Sequence, residues 1–140
     1  GRDGTRFRMA KFRTMPVGAP ILPKVRAGDL PVTRVGRILR RTSLDELPQL
    51  LNIVAGTMSL VGPRPALPEQ EELLELRGAN GSDRCRPGLT GRAQVRARDG
   101  MPDVEKARLD GEYAASIGFW ADVVIVLKTF AYLVRQPPVG

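Results

Sequence analysis

The stretch Arg34-Val35-Gly36-Arg37-Ile38-Leu39-Arg40-Arg41-Thr42-Ser43-Leu44-Asp45-Glu46-Leu47-Pro48-Gln49-Leu50 holds the two patterns on which the fold reading turns. From Thr33 onward, Val35, Ile38 and Leu39 fall on one face of a helix, while Arg34, Arg37, Arg40 and Arg41 crowd the remainder. Ser43 and Glu46 then stand at capping-box spacing, and Leu44, Leu47, Leu51 and Val54 follow at helical intervals until Gly56 stops the run. Pro48 lies inside the first turns of that second helix, where it leaves the start ambiguous.

Upstream, residues 5–15 alternate basic and apolar side chains at period two, predicting a short strand or hairpin arm with Phe7, Met9 and Phe12 inward. Residues 16–31, with four prolines and two glycines, read as a loop. Downstream, a tight connection over 57–65 ends in Gly62-Pro63-Arg64-Pro65, and an acidic helix is expected over roughly 67–77. A Pro/Gly-punctuated loop spans 85–91, and a strand is expected at Ala93–Val95. Two more helices are expected at about 104–116 and 119–134. The last has only Asp122 and Lys128 charged in its middle, so it belongs in a core or against a membrane or partner. The sum is an α+β fold: one helix-dominated domain over 1–140 with a small β element and amphipathic helices suited to a membrane surface.

Composition narrows the chemistry. The chain has no histidine, which excludes Ser-His-Asp catalysis and most zinc sites, and its one cysteine excludes an internal disulfide framework. Residues 1–64 carry twelve Lys and Arg against four Asp and Glu, whereas residues 65–140 carry ten against eleven. The positive field of the +7 chain therefore belongs to the first half, where it draws phosphates of any origin or simply keeps the surface solvated. No run of eighteen uncharged apolar residues is present, and no signal peptide is visible.

Asp45-Glu46 leads the candidates for catalysis. Adjacent carboxylates on a helix diverge by about 100° and converge only at an end or kink, such as Pro48 supplies. A carboxylate attacks phosphorus when Mg²⁺ and basic side chains neutralise the developing charge, and Arg40 and Arg41 lie one turn upstream. The competing reading is structural: Glu46 completes a capping box and Asp45 complements the helix dipole. Arg64, stiffened between prolines, suits a phosphate oxygen pair or a local carboxylate equally. Arg86 in Arg86-Pro87-Gly88 reads as a phosphate turn or a plain connector. Lys11 and Arg13 either face the same pocket or are solvated, and Asp110 near Tyr113 is a candidate metal or substrate ligand, although an exposed helical aspartate is usually neither. Cys85 has no base beside it and reads as a bystander.

In order, Lys11-Phe12-Arg13-Thr14-Met15, Arg34-Val35-Gly36-Arg37, Leu39 to Leu50 with its Ser-Leu-Asp-Glu-Leu-Pro-Gln string, and Met58-Ser59-Leu60-Val61-Gly62-Pro63-Arg64-Pro65 resemble the bacterial sugar transferases. These are the monotopic polyprenyl-phosphate phosphoglycosyl transferases. The likeness runs on through Arg86-Pro87-Gly88-Leu89-Thr90-Gly91, Ala93-Gln94-Val95, Leu109-Asp110, Tyr113, Asp122 and Lys128-Thr129. It implies that Asp45 and Glu46 form a catalytic dyad. Asp45 is then the nucleophile that displaces UMP from a UDP-sugar, Mg²⁺ sits at Asp45, and polyprenyl (undecaprenyl) phosphate accepts the phosphosugar. It also implies that Lys11, Arg64, Arg86 and Asp110 line the substrate site, to which the residue reading adds Arg13 and Arg40 as substrate-binding candidates. A membrane-inserting helix is expected ahead of residue 1, and the setting is the cytoplasmic face of the bacterial inner membrane, with no nucleic-acid partner. Arg92 and the Arg96–Asp99 segment depart from the family pattern where donor-sugar contacts are expected. Two other functions compete: a basic nucleic-acid-binding module, favoured by the Arg-rich helix, and a non-catalytic scaffold on a membrane surface.

Overall fold

The computed structural model describes residues 1–19, 31–96 and 101–135, with the side chain of Arg135 excepted. Helix α1 spans Arg34–Arg41 and starts where expected, because the Thr33 hydroxyl accepts the Gly36 amide at 2.9 Å. The same threonine ties the helix to the upstream chain: its amide and its hydroxyl both donate to the Thr14 carbonyl, at 3.0 and 3.2 Å. Only glycine fits at position 36, since a Cβ there would stand 2.1 Å from that carbonyl oxygen. The apolar face of α1 exists as read, but Val35 and Ile38 are exposed.

The capping box does not form. Ser43 takes a left-handed conformation (φ 56°) and its side chain caps nothing. The chain makes a 3-10 turn over Leu44–Glu46 and then enters helix α2, Gln49–Val54. Pro48 accounts for the split: without an N–H it cannot bond back to Leu44, so the helix restarts behind it, where a proline costs nothing. The two acidic residues therefore sit in a tight turn between α1 and α2 rather than on a helix face.

Strand β1, Ser59–Val61, pairs in parallel with β2, Gly88–Thr90, in the register Ser59 to Gly88 and Val61 to Thr90. A parallel pair needs a crossover, and helix α3 (Glu71–Asn80) supplies it. These strands lie where a connection and a loop were expected. The strand expected at 93–95 is instead a short helix α4, Arg92–Arg96. Three-residue strands carry too little alternation to be read, and Gly88 removes one of those residues from the pattern. That glycine is required, because a Cβ on it would meet the Gly62 amide nitrogen at 2.1 Å.

The arm at 5–15 is not a strand either. Its backbone is held by isolated bonds: the Ala10 amide donates to Asn52 Oδ1 (2.9 Å), Asn52 Nδ2 to the Arg8 carbonyl (2.8 Å), and the Phe12 amide to the Asp45 carbonyl (3.0 Å). With no partner strand among the described residues to cover them, Met9 and Phe12 are exposed and Phe7 is half-buried. Helix α3 begins four residues later than expected, since the Gln70 side chain folds back to accept the Leu67 amide, and it ends at Gly81 in a left-handed cap. The loop expected at 16–31 lies mostly outside the described residues, as do Ala97–Asp99.

Helices α5 (Asp103–Ala115) and α6 (Phe119–Arg135) match expectation within a residue at each end. The core gathers Met58 and Val61 from the β1 region, Leu73 from α3, Ala93 from α4, Ala107, Leu109 and Tyr113 from α5, and Ile125 from α6. The fold is helix-dominated α+β. Helix α6 buries Ile125 and joins the sheet through Thr90, whose hydroxyl lies 2.6 Å from that of Thr129. It leaves Trp120, Leu127, Phe130 and Val134 exposed. Among the described residues no helix is long and apolar enough to cross a membrane.

Candidate active site

The 3-10 turn delivers Asp45 and Glu46 to a cluster of alternating charges. Asp45 is 3% exposed, and its Oδ2 lies 2.9 Å from the Lys11 ammonium. The same ammonium lies 3.5 Å from Glu46 Oε1, which also accepts a 2.8 Å hydrogen bond from Arg64 Nη2. The two carboxylates thus converge on one point, and one cation spans them. Two positive side chains against two negative ones offset the repulsion that adjacent carboxylates would otherwise suffer. Arg64 and Lys11 form the solvent-facing edge of the cluster, with Glu46 between them and Asp45 beneath.

Each member is fixed by backbone. Lys11 is carried by the arm whose neighbouring Phe12 amide binds the Asp45 carbonyl, so the two elements hold each other. Arg64 follows β1, flanked by Pro63 and Pro65. The Pro63 carbonyl accepts the Gly88 amide at 2.8 Å, and the Gly62 amide donates to the Thr90 carbonyl at 2.9 Å.

Of the other candidates, Arg40 is brought to Thr14 rather than to the dyad: its Nε donates to Thr14 Oγ1 at 2.9 Å and steadies the arm that bears Lys11. Arg13 is exposed and joins no ion pair among the described residues. Arg86 is exposed beside a recess of about 170 Å³ lined also by Ser59, Val61, Cys85, Tyr113 and Asp122, away from the dyad's ion pairs. Asp110 is brought to Arg77 rather than to the dyad. It is 1% exposed, and its Oδ2 is taken by Arg77 through Nη2 at 2.6 Å and Nε at 2.9 Å. Burial pushes its carboxyl up, with the Arg77 guanidinium pulling against that.

Arg77 escapes a reading of the sequence alone. It is a buried arginine, and the signal for it is positional: Arg77 falls four residues after Leu73, on the inward stripe of α3. A charged residue at a core position demands a buried partner. Tyr113, also buried, donates to Asp122 Oδ1 at 2.8 Å, and burial followed by that bond raises its hydroxyl pKa, so it stays protonated. Burial and the nearby Asp110 and Asp83 raise Cys85 as well, in keeping with an unreactive thiol.

Among the described residues no three metal-binding side chains cluster. Two converging carboxylates nonetheless fit Mg²⁺, which takes one or two protein carboxylates and completes its octahedron with water and phosphate oxygens.

The family model described as bacterial sugar transferase matches residues 1–136. A UDP-glucose:undecaprenyl-phosphate glucose-1-phosphate transferase of Caulobacter vibrioides is 45% identical over 92% of this chain and 52% of its own length. The protein of the same description in Escherichia coli is 38% identical, over 92% and 30%. The exopolysaccharide production protein ExoY of Rhizobium meliloti is 40% identical, over 92% and 64%. The chain thus spans from about a third to two thirds of these relatives, and the span matched by the family model contains the whole ion cluster. With the dyad, the arm and the Arg64 turn all inside the matched span, the chain belongs to the bacterial sugar transferase family.

Proposed function

We propose that this domain transfers a sugar 1-phosphate from a UDP-sugar to polyprenyl (undecaprenyl) phosphate through an aspartyl-phosphosugar intermediate on Asp45. The observation that carries the reading is the Lys11–Asp45–Glu46–Arg64 cluster: a buried carboxylate paired with Lys11, beside a second carboxylate that Lys11 and Arg64 share. In the first step an Asp45 oxygen bonds to the sugar-bearing phosphorus, and the bond to the bridging oxygen breaks, so that UMP leaves with the electron pair. Lys11 and Arg64 hold phosphate oxygens in line and meet the charge that develops on them. In the second step a polyprenyl phosphate oxygen attacks the same phosphorus and Asp45 is released as carboxylate. Glu46 takes any proton carried by the acceptor and directs its approach. Mg²⁺, held by Asp45 with Glu46 beside it, would supply neutralising charge to the phosphate oxygens.

The acceptor's polyprenyl tail puts the reaction at a membrane surface, and the helices on either side of the dyad support that placement. Helices α1 and α2 expose Val35, Ile38, Leu50, Leu51 and Val54 beside Arg34, Arg37 and Arg41, an apolar-plus-basic surface suited to anionic lipid. The cytoplasmic face of the bacterial inner membrane is the side where nucleotide sugars are available. The relatives named for glucose, and one named for galactose in Erwinia amylovora, make a UDP-hexose the first donor to try. The test is UMP release by the full-length protein supplied with UDP-sugars, undecaprenyl phosphate and Mg²⁺. Sustained release beyond one equivalent of enzyme without the acceptor's phosphate, or release retained in Asp45→Asn, counts against the reading.

A further inference from the structure

We propose that Arg77, clamped by Asp110, is a positioning residue that sets the stance of Arg64 on the dyad; the inference rests on the transferase reading above. Arg77 lies on α3 and is 7% exposed, so it touches no substrate. Its guanidinium is divided between two tasks. Nε and Nη2 face Asp110 Oδ2 at 2.9 and 2.6 Å, and Nη1 donates to the backbone carbonyl of Arg64 at 2.9 Å. From the same residue, the Arg64 side chain reaches Glu46 Oε1 at 2.8 Å. A continuous relay therefore runs from Asp110 through Arg77 and the Arg64 backbone to Glu46.

The need for such a clamp follows from the local chain. Prolines on both sides of Arg64 limit its backbone but offer no amide of their own, and the carbonyls of Pro63 and Arg64 must find donors elsewhere. Pro63 finds Gly88 on β2; Arg64 finds Arg77. A neutral donor could satisfy that carbonyl. A buried guanidinium held by a buried carboxylate is a costlier choice whose gain is rigidity, since a planar fork fixed on one side cannot swing on the other. Lysine lacks the fork and cannot reach both partners.

The test is a double-mutant cycle in the full-length protein, with UMP release as the readout. Arg77→Met is expected to slow turnover about ten- to hundredfold, as displacement of a phosphate-binding group does. In an Arg64→Ala background the same change should cost less than about threefold, because the group it positions is already gone. Arg77→Lys should not restore the rate, and the acid limb of the pH–rate profile should move in the same direction in Arg77→Met and Arg64→Ala. A full, multiplicative loss in the Arg64→Ala background overturns the proposal, as does undiminished turnover in a folded Arg77→Met. Should Arg77→Met not fold, Arg77→Lys and the isosteric Asp110→Asn enter the same cycle, and the same two results support or overturn the proposal. A wild-type enzyme that releases no UMP speaks against the transferase reading, whereas an active one with a multiplicative cycle speaks against the clamp alone.

Discussion

The two halves of the molecule are built on different terms. From residue 61 onward, strand β2 and helices α3, α5 and α6 pack a core of Val61, Leu73, Leu109, Tyr113 and Ile125, with a buried ion pair at its edge. Before residue 58, the buried residues among those described are Thr14, Gly36, Asp45 and Gln49, and most large apolar side chains of α1 and α2 face outward. Polar contacts hold the first half together: Thr33 and Arg40 on Thr14, Asn52 on the 8–10 backbone, Lys11 on Asp45. The proposed reacting groups, Asp45 and Glu46, come from the loosely cored half, and Arg64, just after β1, is the rigid half's contribution. Such a division gives one half a fixed platform and leaves the other with the exposed apolar and basic surface that the proposed reaction at a lipid surface calls for.

Substitutions break this comparison in order of size. Leu109→Ala, in the rigid half and 1% exposed, is expected to destabilise by about 2–5 kcal/mol, read by thermal or denaturant unfolding. Gly36→Ala comes next. Its Cβ must push α1 off the Thr14 carbonyl, costing about 1–3 kcal/mol, and it should slow UMP release because Lys11 rides on the displaced arm. Val54→Ser and Ile38→Ser on the exposed faces should change stability by no more than about 0.5 kcal/mol yet weaken binding to anionic vesicles. An Ile38→Ser protein that loses stability like Leu109→Ala contradicts the division.

A pH titration sharpens the same contrast. The folded protein raises the Asp110 carboxyl above its ordinary value of 3.8, so it holds that proton more tightly than the unfolded chain does. Stability from this group is therefore full below 3.8 and declines as pH rises from there through the raised folded value, then levels off. Asp110→Asn should remove that segment of the stability–pH curve. A curve unchanged by the substitution contradicts the burial argument.

What the residues disclose on their own follows the same division. Helices α5 and α6 are legible because thirteen and seventeen residues give periodicity room to show. The dyad is legible as a string, Ser43 to Gln49, but its setting is not: the spacing predicts a capping box where Ser43 turns left-handed and Pro48 interrupts the ladder. The strands elude reading because parallel pairing between Ser59–Val61 and Gly88–Thr90 is a long-range fact with only three residues on each side. The arm at 5–15 alternates like a strand, yet among the described residues no neighbouring strand exists to make it one. Lys11 and Arg64 stand out in the sequence as basic candidates, but that both converge on Glu46 is tertiary information. Asp110 reads as a substrate contact because its partner, Arg77, is 33 residues away and shares no local pattern with it.

Intact-mass and peptide analysis of the full-length enzyme, acid-quenched after exposure to a UDP-sugar without acceptor, tests nucleophilic attack by Asp45 most directly. The expected result is a phosphosugar adduct on the peptide bearing Asp45, discharged when polyprenyl phosphate is added and absent in Asp45→Asn. An enzyme that releases UMP under these conditions, and turns over once acceptor is added, while Asp45 carries no adduct or another residue carries it contradicts the account.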